Sequence, residues 1–83
     1  MAKVNIIKKY QGKKIFFVVE EDEDGFLIAE CQLFSDCYTQ GKTFNEVLEN
    51  MRDVLWLVLE EKENQEILDS YNFKKASLHI ITL

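Results

Sequence analysis

Hydrophobic and polar positions change their period once along this chain. Up to residue 40 the apolar residues come in short runs, and from Phe44 onward they recur at helical spacing. Val4, Ile6 and Lys8 alternate with Asn5, Ile7 and Lys9, which predicts a strand ending near Tyr10. Gln11-Gly12 offers a turn, because Gly12 adopts positive φ without steric cost. Ile15-Phe16-Phe17-Val18-Val19 is β-branched and aromatic, the strongest strand signal in the chain. Asp24-Gly25 then marks a hairpin. Phe26 to Cys31 returns as a second, antiparallel strand. An irregular piece, Gln32 to Asp36, leads to a third strand at Cys37-Tyr38-Thr39-Gln40. Thr43 is placed as a helix N-cap, with Glu46 three residues on to complete a capping box. Phe44, Val47, Leu48, Met51, Leu55, Val58 and Leu59 form the inward stripe of a helix predicted over residues 43–62. Residues 64–72 read as a frayed extension plus loop, and residues 76–83 as a closing strand.

These elements predict an α+β fold: an antiparallel three- or four-stranded sheet with one long helix packed on one face. The order is β-β-β-α-β, with an additional N-terminal strand at residues 4–10. Eighty-three residues make a single domain, 1–83. The Ile15–Val19 run is apolar on both faces, as a central strand covered on two sides would be. Trp56 and Leu57 fall off the helix's main stripe, one on each side. They either cover a loop within one chain or pack in a homodimer or partner interface, where Trp is enriched.

Fifteen acidic against ten basic residues give a net charge of −5, which opposes non-specific nucleic-acid binding. The basic residues are scattered rather than gathered on one helix, and only one long helix is predicted, so direct sequence-specific DNA binding is not expected. No apolar run is long enough to span a membrane, and the N-terminus lacks a signal-peptide pattern; the expectation is a cytoplasmic protein. Cys31 and Cys37 read as free thiols, with a redox or metal role as the alternative. The lone His79 lies in a predicted strand, and Ser35, Ser70 and Ser77 have no activating neighbours in sequence. Gly41-Lys42-Thr43 lacks the upstream glycines of a phosphate loop. The sequence therefore predicts neither an enzyme nor a cofactor. Glu20, Glu21, Asp22, Glu23 and Asp24 form an acidic hairpin, either a solvated turn or a docking surface that steers a basic partner.

Two stretches carry a family resemblance. Phe17-Val18-Val19-Glu20, with Asp22-Glu23-Asp24-Gly25-Phe26-Leu27-Ile28-Ala29-Glu30-Cys31, is the first. Cys37-Tyr38-Thr39-Gln40-Gly41-Lys42-Thr43-Phe44-Asn45-Glu46-Val47-Leu48-Glu49-Asn50-Met51 is the second. Together they resemble the HicB-like antitoxin family, type II toxin–antitoxin proteins with a partial RNase H-like domain. The resemblance implies a non-catalytic protein that binds and neutralises a small basic HicA-like toxin, an mRNA-cleaving protein. For such a partner the candidate contacts are the hairpin acids Glu20, Glu21, Asp22, Glu23 and Asp24, with Phe34 and Tyr38 nearby, and the off-stripe Trp56. Longer relatives carry a C-terminal DNA-binding domain, for which residues 71–83 offer no pattern. The family usually has a Cys-Pro-x-x-Pro-Gly-Cys-like stretch between its second and third strands. Here that stretch is Cys31-Gln32-Leu33-Phe34-Ser35-Asp36-Cys37, without proline. The alternative function is an orphan homo-oligomeric interaction or structural domain on the same scaffold.

Overall fold

The computed structural model describes residues 7–71 and 79–83. Four strands form one antiparallel sheet: β1 (Lys14–Glu21), β2 (Leu27–Glu30), β3 (Tyr38–Gly41) and β4 (His79–Thr82), in the spatial order β3-β2-β1-β4. β1 is central, as its two-sided apolar run predicts. Its first half pairs with β4 (Ile15 opposite Ile81) and its second half with β2 (Val19 opposite Ala29). Alternation then assigns the faces. Ile15, Phe17, Ala29 and Ile81 are buried on one side of the sheet. β4 lies inside the strand expected over residues 76–83; residues 76–78 lie outside the described ones.

Two helices follow β3: α1 (Phe44–Val58) and α2 (Lys62–Asp69). Val47, Met51, Leu55 and Leu59 are fully buried against the sheet, four residues apart and so on one face of α1. Leu48 and Val58 flank that stripe half-buried, whereas Phe44, expected inward, is 41% exposed. The close approach at this end is made by Gly41 instead. A Cβ there would stand 3.0 Å from both the Val47 backbone nitrogen and its Cγ2. Thr43 has extended backbone (φ −127°, ψ 161°), and its Oγ1 accepts from the Glu46 N–H at 3.1 Å. Glu46 Oε1 accepts from the N–H of Lys42 at 3.3 Å, one residue ahead of the N-cap. The expected box forms with that shift.

The single long helix is corrected to two. Leu68 would point about 180° away from Leu59 on a straight helix, yet it is fully buried. The chain breaks after Val58 and turns Leu68 back onto the core. The α1 carbonyls released by the break are capped from α2: Asn64 Nδ2 donates to Val58 O at 2.8 Å and Gln65 Nε2 to Leu59 O at 2.7 Å.

The predicted N-terminal strand is also corrected. Residues 4–6 lie outside the described ones, and residues 7–10 are helical, with the Gln11 N–H donating to Ile7 O at 2.9 Å. The reason is already visible in Ile6-Ile7-Lys8-Lys9, where like residues are adjacent and a two-residue period fails. A helical turn exposes Lys8 and Lys9 and buries Tyr10. Gly12, at φ +88°, then turns the chain into β1. Its N–H donates to Leu83 O, and the Leu83 N–H donates to Lys13 O at 2.9 Å, tying this turn to the end of β4.

Candidate functional site

β1, β2 and β3 present a second face, away from α1, that no described helix covers. Register places Glu20, Ile28 and Gln40 in one cross-strand row, and Val18, Glu30 and Tyr38 in the next. Glu20, Glu30 and Gln40 are exposed and Val18 is half-buried. Ile28 is 37% exposed and Tyr38 61%, both high for apolar or aromatic side chains on a sheet. A shallow depression of about 280 Å³ opens beside them, lined by Ile28, Tyr38, Thr39 and Gln40. At the far end of β1, Phe16 is half-buried, with its ring 6.2 Å from that of Tyr71.

The face continues into the acidic hairpin. Glu21 pairs with Leu27, and the turn between them is closed by the Gly25 N–H donating to Asp22 O at 3.1 Å. Gly25 takes φ +86°. Asp22 Oδ1 accepts from the backbone N–H groups of Asp24 and Phe26, each at 2.9 Å. Asp22 is thus committed to building the turn, as short polar side chains in turns commonly are. Glu20, Glu21, Glu23 and Asp24 are exposed around it.

The expected partner-contact residues therefore divide. Glu20 and Tyr38 share the open face, next to the exposed hairpin acids. Phe34 is corrected: it is 5% exposed, packed into the core, and offers a partner no surface. It anchors the loop between Cys31 and Cys37, with half-buried Leu33 packing beside it on the core. Trp56 lies on α1, across the sheet from the open face, half-buried against the core. Leu57 beside it is 63% exposed. Sequence reasoning missed Ile28, Glu30 and Gln40. The signal for them was strand alternation counted outward from Tyr38, which becomes usable once the helix side of the sheet is known.

Other ionisable groups serve packing. Tyr10 Oη donates to Asp69 Oδ1 at 2.8 Å and lies 3.3 Å from Gln65 O, while Lys9 Nζ donates to Asp69 Oδ2 at 3.3 Å. These bonds clasp the N-terminal turn to α2. The Tyr10 hydrogen bond, helped by Lys9, holds the Asp69 carboxyl below its ordinary value of 3.8. Burial, then the hydrogen bond to Asp69, pushes the Tyr10 hydroxyl up. Among the described residues, no group of three His, Cys, Asp or Glu side chains is placed to hold a metal ion. No helix among them is long and apolar enough to cross a membrane.

A UPF0150 protein of Synechocystis sp. is 38% identical over 66 residues, spanning 78% of this chain and 96% of the relative. The chain belongs to the UPF0150 family. A UPF0150 protein of Archaeoglobus fulgidus is 36% identical over 53 residues, 64% of this chain and 77% of the relative. Another UPF0150 protein, from Thermoplasma acidophilum, is 28% identical over 67 residues, 80% of this chain and 97% of its own length. No protein-family model and no solved structure matches the chain significantly.

Proposed function

We propose that this UPF0150 protein is a HicB-like antitoxin that binds a small basic HicA-like mRNA-cleaving toxin in the cytoplasm and blocks it by contact, without catalysis. The observation that carries the reading is the open sheet face, where exposed Ile28 and Tyr38 are set among Glu20, Glu30 and the hairpin acids. An apolar centre with an acidic rim suits a cationic protein surface: the rim steers encounter and the centre supplies desolvated contact. Asp36 adds support. It holds φ +55° immediately before Cys37, a conformation glycine adopts readily and Asp tolerates. The HicB-like pattern has its glycine at that place.

Nucleic acid is a poor partner for the same surface. Two consecutive helices do follow a strand here, contrary to the single helix expected. Both commit a face to the core, and α2 carries Glu63, Glu66 and Asp69 against Lys62 alone. The second reading is an orphan homo-oligomeric domain, favoured by exposed Leu57 beside Trp56 on the opposite side of the molecule.

The test is co-expression with a small basic protein encoded beside this one. The antitoxin reading expects growth rescue and a complex that survives gel filtration. Tyr38→Ala and the double reversal Glu20→Lys/Glu30→Lys should each weaken that complex by tenfold or more, about 1.4 kcal/mol or greater. Absence of any complex with the neighbouring protein overturns the reading for that pair.

A further inference from the structure

Cys31 and Cys37 continue the β2–β3 ladder beyond its last regular pair. Glu30 stands opposite Tyr38, and one step further Cys31 stands opposite Cys37, with the Cys31 N–H donating to Cys37 O at 2.9 Å. Both side chains are 1% exposed, and both thiols are free. Directly opposed residues of an antiparallel pair have Cα atoms about 4.5–5.5 Å apart. A disulfide needs about 4.4–6.8 Å, so the ladder already holds the backbone at bonding range. We propose that Cys31 and Cys37 are an intramolecular dithiol–disulfide couple that a small hydroperoxide oxidises, closing a ring over Gln32–Asp36.

The two sulfurs are not equivalent. The Cys31 thiol is held below its usual range, chiefly by the neighbouring Cys37 thiol; burial opposes this, and the backbone of Leu33 and Phe34 adds to it. The Cys37 thiol is pushed up, because Cys31 holds its proton. Cys31 is therefore the attacking sulfur and Cys37 the resolving one. The Cys31 thiolate attacks one oxygen of hydrogen peroxide and the O–O bond breaks. The departing oxygen takes up the proton that Cys31 released and leaves as water, giving a sulfenic acid. The Cys37 sulfur then attacks Cys31; the S–S bond forms, the S–O bond breaks, and the hydroxyl leaves as a second water with the Cys37 proton. Two thiols lose two electrons in all, and one peroxide becomes two waters.

The couple is independent of any partner, and the reduced full-length chain tests it directly. After reductant is removed, one equivalent of hydrogen peroxide is added and the intact mass, free thiols and circular dichroism are followed. The expected result is a mass lower by two hydrogens, simultaneous loss of both thiols, a crosslinked peptide joining Cys31 to Cys37, an unchanged spectrum and reversal by dithiothreitol. Unreacted thiols, added oxygen without a crosslink, or a disulfide between chains overturns the proposal. Cys37→Ser should stop at a sulfenic acid on Cys31 that dimedone traps, and Cys31→Ser should not label; the reverse pattern overturns the assigned order. Where either variant fails to fold, the wild-type mass and crosslink decide alone.

Discussion

Gly41 shows how one missing atom positions an element. Its neighbours Val47 and Glu46 stand where a Cβ would project, the nearest at 3.0 Å and one of them backbone. Gly41→Ala must therefore push α1 off the end of β3, and overpacking of this kind costs about 1–3 kcal/mol; urea denaturation should register it as a lower midpoint with little change in slope. Asp69 gives the pH-dependent counterpart. Its folded pKa lies below 3.8 because of the Tyr10 hydrogen bond, so the unfolded chain binds its proton first as pH falls. The stabilisation is fully present above about pH 5, falls away through the acid range, and is gone below the folded pKa. Thermal melts of wild type and Asp69→Asn should differ at pH 7 and converge toward pH 3; a gap that stays constant across that range would remove the clasp as its cause.

At the scale of elements, α1 shows what a reader of the sequence can and cannot recover. Its start is legible because Thr43, Glu46 and the Val47-Met51-Leu55 stripe agree with one another. Thr43→Ala should cost about 0.5–2 kcal/mol through the lost cap, and Thr43→Ser should restore most of it. Leu55 is fully buried, so Leu55→Ala should cost about 2–5 kcal/mol in chemical denaturation. The end of α1 is not legible. Glu60, Glu61, Lys62 and Glu63 are good helix formers without glycine or proline. The break there is decided by where Leu68 finds a core and by amides six residues downstream that cap the freed carbonyls. The N-terminal turn is legible in the failed two-residue period of Ile6-Ile7-Lys8-Lys9, but its docking is not: Tyr10 is fixed by α2, an element nearly sixty residues away that no local pattern reports. In the candidate site, the acidic hairpin and Tyr38 were legible from composition and register. Phe34 was not, because an aromatic in a polar loop looks the same whether it points out or in.

The whole molecule is two-sided. One side is an open acidic-rimmed sheet; the other is a helical layer that exposes Leu57. These surfaces lead to separable outcomes. Association with a cationic partner through the sheet should weaken steeply between low salt and physiological ionic strength, because the exposed carboxylates act over about 10 Å or less once screened. Self-association through Leu57 and Trp56 should be insensitive to salt and abolished by Leu57→Glu. Light scattering at micromolar concentration reads the second directly: a dimer mass for wild type and a monomer mass for Leu57→Glu is the expected pair. A monomer mass for wild type at every concentration eliminates the homodimer.

The pairing of β1 with β4 has a consequence for how the protein comes into being. β1 is translated early and is the strand on which the core is assembled, yet one of its edges has no mate until β2, β3 and both helices have been made. During that interval Ile15 and Phe17 lie beside unpaired backbone, the combination that recruits foreign strands or invites a protease. Long-range pairing of this kind also slows folding relative to a helical protein of equal length. The nascent chain therefore passes through a vulnerable stage that the finished domain, with β4 in place and Leu83 bonded back to Gly12 and Lys13, no longer reveals.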